Sequence, residues 1–143
     1  MRSLTAAADR FRAAHGLPAT LDAACDAFEQ ILTVIAGYER ATSTGLAITF
    51  LFAATQAANG RDAMLFAPSL PPVARYTPAP AGEQREWNTH DIKTPVAALA
   101  ELLACGLGHT ATTTESGADR AACHDAAACA TRIHDLLTRR PGL

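Results

Sequence analysis

His90, Asp91, Ile92, Lys93, Thr94 and Pro95 form the one run whose residue types and spacing look like chemistry. A free imidazole titrates near pH ~6.5, so at neutral pH His90 is mostly uncharged and competent as a nucleophile. The Lys93 ammonium could offer charge to an anionic group nearby. Thr94 follows His90 by four residues, one turn along the same face if the run is helical. Pro95 has no N–H for the Asp91 carbonyl, so a helix continuing through it would be kinked and strained beside His90. The other reading is a helix that starts here. Thr94 is a good N-cap and Pro95 a favoured first helical residue, with "NTHDIK" as loop.

The element that must carry this run is a helix expected from about Glu83 to Cys105, ended by Gly106 and Gly108. Ile92, Val96, Leu99 and Leu103 recur at i, i+4, i+7 and i+11 and form its buried stripe. His90, Thr94, Ala97 and Glu101 recur on nearly the opposite side, toward solvent or a partner. A fifth helix follows a Thr-rich loop, with "SGAD" (Ser116 to Asp119) as a capping-box-like start, and runs to about Arg140.

Three helices are expected before this pair. The first spans about Ser3 to His15 and is stopped by Gly16 and Pro18. Thr20 caps the second, with Leu21, Cys25, Phe28, Leu32 and Ile35 as its stripe and Gly37 near its end. The third, Leu46 to Ala58, is apolar nearly all round and reads as the central buried element, ended by Asn59-Gly60. A short turn of helix could follow at "RDAMLFA". Five prolines between Pro68 and Gly82 rule out a regular helix there. That stretch is a connector, either a hinge or a loop strapped over one bundle.

The 143 residues suit a single domain, 1–143, with N-terminal helices over 1–67, a Pro-rich connector over 68–82 and a helical hairpin over 83–140. Hydrophobic residues make up 49%, and much of that is alanine, the best helix former and a side chain that lets helices approach closely. The fold class that follows is all-α: a small bundle of about five helices ending in an antiparallel helical hairpin. A net charge of −2 with no basic run argues against nucleic acid as partner. Arginine outnumbers lysine eleven to one, which reads as a coding bias; the one lysine is Lys93.

The run from His90 to Pro95 resembles the phosphoacceptor box of sensor histidine kinases. In that family a histidine is followed by an acidic residue, an aliphatic, a basic residue, Thr or Asn, and Pro. The "IKTP" form with Trp87 nearby looks like one subset of these kinases, and "ATRIHDLL" resembles the end of the family's second helix. The resemblance covers roughly Glu83 to Arg140, less than half of the chain. It implies His90 as phosphoacceptor, Asp91 orienting the ring and accepting its other proton, and Thr94 positioning water for dephosphorylation. It also implies a homodimer with a four-helix bundle at its interface, and a response-regulator-like protein partner. The chain departs from the family in having no glycine-rich nucleotide motif and a Pro-rich connector in place of the long entering helix. It would therefore be a phosphotransfer or docking hairpin supplied by another protein.

Two other functions stay open. One is a small-molecule-binding helical bundle or cofactor-free enzyme of bacterial specialised metabolism, with an apolar pocket near the third helix and Tyr38, Glu39, Arg40, Trp87 or His90 turned inward. The other is a non-catalytic adaptor. Three His-Asp dipeptides (His90-Asp91, His124-Asp125, His134-Asp135) do not converge as metal pairs, and neither a metal site nor a cofactor is expected. Cys25, Cys105, Cys123 and Cys129 show no zinc spacing and read as small buried hydrophobes in a reducing compartment. The first residues show no apolar signal-peptide core. "GLAITFLFAATQAA" (Gly45 to Ala58) is too short for a membrane span of ~20 apolar residues. The expected location is cytoplasmic, with no membrane partner.

Overall fold

The computed structural model describes residues 2–41, 47–71 and 92–138, and at residues 2, 39–41 and 47 the backbone alone. Within them the chain forms five helices and no strand, the all-α bundle expected from its composition: α1 (Arg2–Ala13), α2 (Leu17–Ala41), α3 (Ala47–Leu65), α4 (Lys93–Thr113) and α5 (Gly117–Thr138). None of these is long and apolar enough to cross a membrane.

The helices close a ring. α4 and α5, joined by three residues, pack along each other; α5 packs on α3, α3 on α2, α2 on α1, and α1 returns to α4. The ring's interior is filled by Phe28, Ile31, Phe50, Met64, Leu103 and Ile133, all fully buried. Burying each such side chain stabilises the fold by about 1.5–3 kcal/mol relative to leaving it in water. Alanines fill the seams between them. Ion pairs fasten neighbouring helices at the edges: Arg10 to Asp26 at 2.8 Å ties α1 to α2, and Arg61 to Glu29 at 3.2 Å ties α3 to α2.

Several helix ends differ from the sequence expectation, each for a physical reason. Gly16 does stop α1, in a left-handed conformation (φ +85°) that side chains rarely adopt. But α2 begins at Leu17, not after Thr20. Pro18 is tolerated in the first turn, and the Thr20 hydroxyl donates back to the Gly16 carbonyl at 2.9 Å instead of capping. α2 also runs past Gly37 to Ala41, so Tyr38, Glu39 and Arg40 belong to its last turn and not to a loop.

Asn59-Gly60 does not end α3, and Gly106 and Gly108 do not end α4. A Cβ on Gly60 would lie 2.5 Å from the Phe28 ring, and one on Gly106 would lie 2.4 Å from the Phe11 ring. These glycines are close-approach points where a ring from a neighbouring helix rests on the backbone. α4 continues to Thr113, where the hydroxyls of Thr110, Thr112, Thr113 and Thr114 donate to carbonyls of the last turns. The Arg120 guanidinium adds a bond to the Thr114 carbonyl at 2.8 Å. Of the helix's last four carbonyls, that of Thr110 receives the Thr113 and Thr114 hydroxyls, and the helix ends without a glycine cap.

α3 is not the central buried element. Phe50, Ala53, Ala57, Gly60 and Met64 face inward, while Ile48, Leu51, Phe52, Leu65 and Phe66 are exposed. Its two neighbours in the ring, α2 and α5, cover one side only.

Cys105 also departs from expectation: it is exposed, whereas Cys25, Cys123 and Cys129 are buried. Two residues past the inward-facing Leu103, it points about 200° away around the helix. Burial pushes the Cys123 and Cys129 thiols up, with nearby Asp119 adding to the rise at Cys123. Native protein should therefore show one thiol reacting rapidly with an aromatic disulfide reagent, absent in Cys105→Ser, and three that react only after unfolding. A thiol held protonated in the fold ionises sooner when unfolded. Stability should thus fall as pH rises past the ordinary thiol value of about 8.5, less steeply in Cys123→Ala. Four equally reactive native thiols would contradict this packing.

Candidate functional site

α4 begins at Lys93, so Ile92 lies outside the helix and the expected unbroken helix from Glu83 is corrected at this point. The cause is Pro95. Having no N–H, it fits the first turn, where that group would be unpaired, and the first helical bond runs from the Val96 N–H to the Ile92 carbonyl at 3.1 Å. Within α4 Pro95 therefore introduces no kink. Thr94 is not the N-cap; Ile92 holds that position, and no side chain caps the helix.

The expected stripe is in place. Ile92, Val96, Leu99 and Leu103 are buried, and Leu107 and Ala111 extend it. It is covered by helices of the same chain, since α1, α2 and α5 all pack on α4. The opposite side is less uniform than its spacing suggested. Thr94 and Glu101 are exposed, but Ala97 is buried where α4 meets α5.

That meeting leaves an open groove of about 430 Å³. Lys93, Thr94 and Glu101 rim it on α4, His134 and Thr138 on α5, and small Ala97 and Ala98 help form its floor. The start of α4 thus lies beside the end of α5. Lys93 and Glu101 stand two turns apart, about 12 Å along the axis, so the groove carries a cation at one end and a carboxylate at the other. The His134 ring sits 3.4 Å from the Asp135 carboxylate and is two-thirds buried. The Thr138 hydroxyl donates to the His134 carbonyl at 2.8 Å. Of the residues singled out in sequence, this groove gathers Lys93 and Thr94. His134 joins them; in sequence it stood out only as part of a His-Asp dipeptide and of "ATRIHDLL", with no place in a site.

Trp87, His90 and Asp91 lie outside the described residues, as do the side chains of Glu39 and Arg40. Two peptide units separate His90 from Ile92, a reach of at most about 7 Å. Tyr38 is half-buried with its ring 4.9 Å from that of Phe50, at 54°, so it packs on the core of α3 and not into this groove.

A second, polar cleft of about 550 Å³ lies at the other end of the bundle, where the α1–α2 turn, the residues after α3 and the α4–α5 turn converge. Its hydroxyls are occupied: Thr20, Thr110, Thr113 and Thr114 donate to backbone carbonyls and Ser69 donates to Asp119. Asp119 is buried, and its carboxylate accepts both the Ser69 N–H at 3.0 Å and the Ser69 hydroxyl at 2.6 Å. The cleft is a joint that fastens chain segments. Among the described residues no three metal-ligating side chains converge. Compared with known protein families, curated proteins and solved structures, the chain matches none.

Proposed function

We propose that this chain is a histidine-kinase-like helical phosphotransfer or docking protein. In this reading another protein supplies the phosphoryl group, His90 accepts it, and a response-regulator-like partner receives it. The observation that supports the reading is the placement of Lys93 and Thr94 at the uncapped amino end of α4, on the rim of an open groove. The positive end of a helix dipole and an ammonium together favour a phosphoryl group there.

The chemistry follows from the residue types. The imidazole lone pair attacks phosphorus, a nitrogen–phosphorus bond forms, and the bond to the donor's leaving group breaks. The leaving group takes up the proton that the ring gives up. Asp91 orients the imidazole and Thr94 holds water for hydrolytic release. Transfer onward to a partner carboxylate makes an acyl phosphate and restores His90. Glu101 and His134, farther along the groove, are the docking side of the same face.

The test is intact mass at alkaline pH after incubation with phosphoramidate, whose ammonia is the leaving group. Wild-type protein should gain one phosphoryl group and His90→Ala none, with unchanged helicity by circular dichroism. Equal labelling of the two proteins would remove His90 as acceptor.

A further inference from the structure

The outer face of α3 carries five large apolar side chains in water: Ile48, Leu51, Phe52, Leu65 and Phe66, between 52% and 83% exposed. Ile48, Leu51 and Phe52 stand near the start of α3 and Leu65 closes it, about 26 Å along the axis from Ile48, with Phe66 in the turn that follows. We infer that this face is a homodimer interface, with a second copy of the chain laid antiparallel across it.

Three observations point to a second copy. The first is area. Large apolar side chains present roughly 200 Å² each, so at these exposures the face offers roughly 600 Å² per chain and about 1,200 Å² per pair. That stands at the upper end of what a monomer leaves bare and at the lower end of stable interfaces.

The second is charge. Between Ile48 and Phe66 the only ionisable side chains are Arg61 and Asp62. Arg61 turns to Glu29 at 3.2 Å and also pairs with Asp62 at 3.2 Å. Arg132 of α5, which donates to Gln56 Oε1 at 3.4 Å, is the one further cation seen beside the middle of α3 among the described residues. A lipid surface would want a cluster of lysine or arginine around the patch, whereas Arg61 is paired with carboxylates and Arg132 beside Gln56 is a single cation.

The third is pattern. Apolar residues cluster at both ends of the face, with Thr55 and Asn59 between them. An antiparallel crossing sets Ile48, Leu51 and Phe52 of each copy against Leu65 and Phe66 of the other, and polar middle against polar middle. The stripe that a kinase-like hairpin would offer a partner is already buried in the chain, whereas this face is open. The inference does not depend on phosphotransfer, because α3 lies outside the groove at α4 and α5.

Sedimentation equilibrium of the full chain over a concentration series tests it. Wild type should be a dimer with micromolar or tighter affinity. Phe52→Asp and Phe66→Asp, both at exposed positions, should each weaken it roughly thirtyfold or more while leaving helicity and thermal unfolding of the monomer intact. Asn59→Cys in a Cys105→Ser background should form an intermolecular disulfide on oxidation. A wild-type chain that stays monomeric throughout overturns the inference, as does a dimer that both aspartate variants leave unchanged. In the monomeric case, protection of Phe52 and Phe66 from hydroxyl-radical oxidation would assign the face to another segment of the same chain.

Discussion

Phe28→Ala is expected to remove about 3–5 kcal/mol of folding stability, a large share of the 5–15 kcal/mol typical of a domain. Phe28 is fully buried, and its ring lies where a Cβ on Gly60 would be, 2.5 to 2.9 Å from three ring carbons. Removing the ring opens a cavity between α2 and α3 that the rigid helices can close only in part. The reciprocal change collides instead. Gly60→Ala should lose about 1–3 kcal/mol by overpacking, even though alanine favours an isolated helix by about 1 kcal/mol. Urea unfolding of a double-mutant cycle decides the matter. Gly60→Ala should cost clearly less in a Phe28→Leu background, with a coupling of roughly 1–2 kcal/mol. Strict additivity would mean that the ring does not rest on the glycine.

Asp119→Ala comes next in size, at about 3 kcal/mol. Its carboxylate is nearly dry and accepts both the N–H and the hydroxyl of Ser69, fifty residues earlier in the chain. Hydrogen bonds to a charged acceptor are worth more than neutral ones, and their loss leaves two donors without an acceptor in a part-buried site. Asp119 also sits in the first turn of α5, where its N–H is accepted by Ser116 Oγ at 3.3 Å and its charge suits the helix dipole. Asp119→Asn should cost less than half as much, because an amide still offers an oxygen to the Ser69 N–H. With Ser69 already replaced by alanine, Asp119→Ala should lose much of its effect. Thermal and urea unfolding measure each cost. A loss under about 0.5 kcal/mol for Asp119→Ala would show that water replaces the carboxylate freely and that the joint is open.

The same residues show how far the sequence could be read. Ser116 and Asp119 were legible as the start of a helix, since a serine with an acid three residues on satisfies local backbone groups. The Asp119–Ser69 pair was not, because nothing local couples positions fifty residues apart. Gly16 was read correctly as a stop, whereas Gly60 and Gly106 were misread. Glycine in a left-handed turn and glycine beneath a neighbour's ring are the same letter, and only the neighbour separates the two cases. In the His90 run, Pro95 was readable either as a kink inside a longer helix or as part of a helix start, and local chemistry did not separate the two. The final choice, a helix from Lys93, set Lys93 and Thr94 at its amino end beside His134.

Periodicity and composition therefore carried the all-helical class and the inward stripes, including Ile92, Val96, Leu99 and Leu103. Those are properties of a single helix: a 3.6-residue repeat and the low conformational cost of alanine operate before any helix meets another. Tertiary structure decided which face of α3 is buried, because an almost uniformly apolar helix has no preferred side until α2 and α5 cover one. It decided in the same way that Cys105 faces water and that the hairpin's stripe is satisfied within one chain. Such outcomes depend on the neighbours a helix acquires, and a helix's own repeat does not encode them.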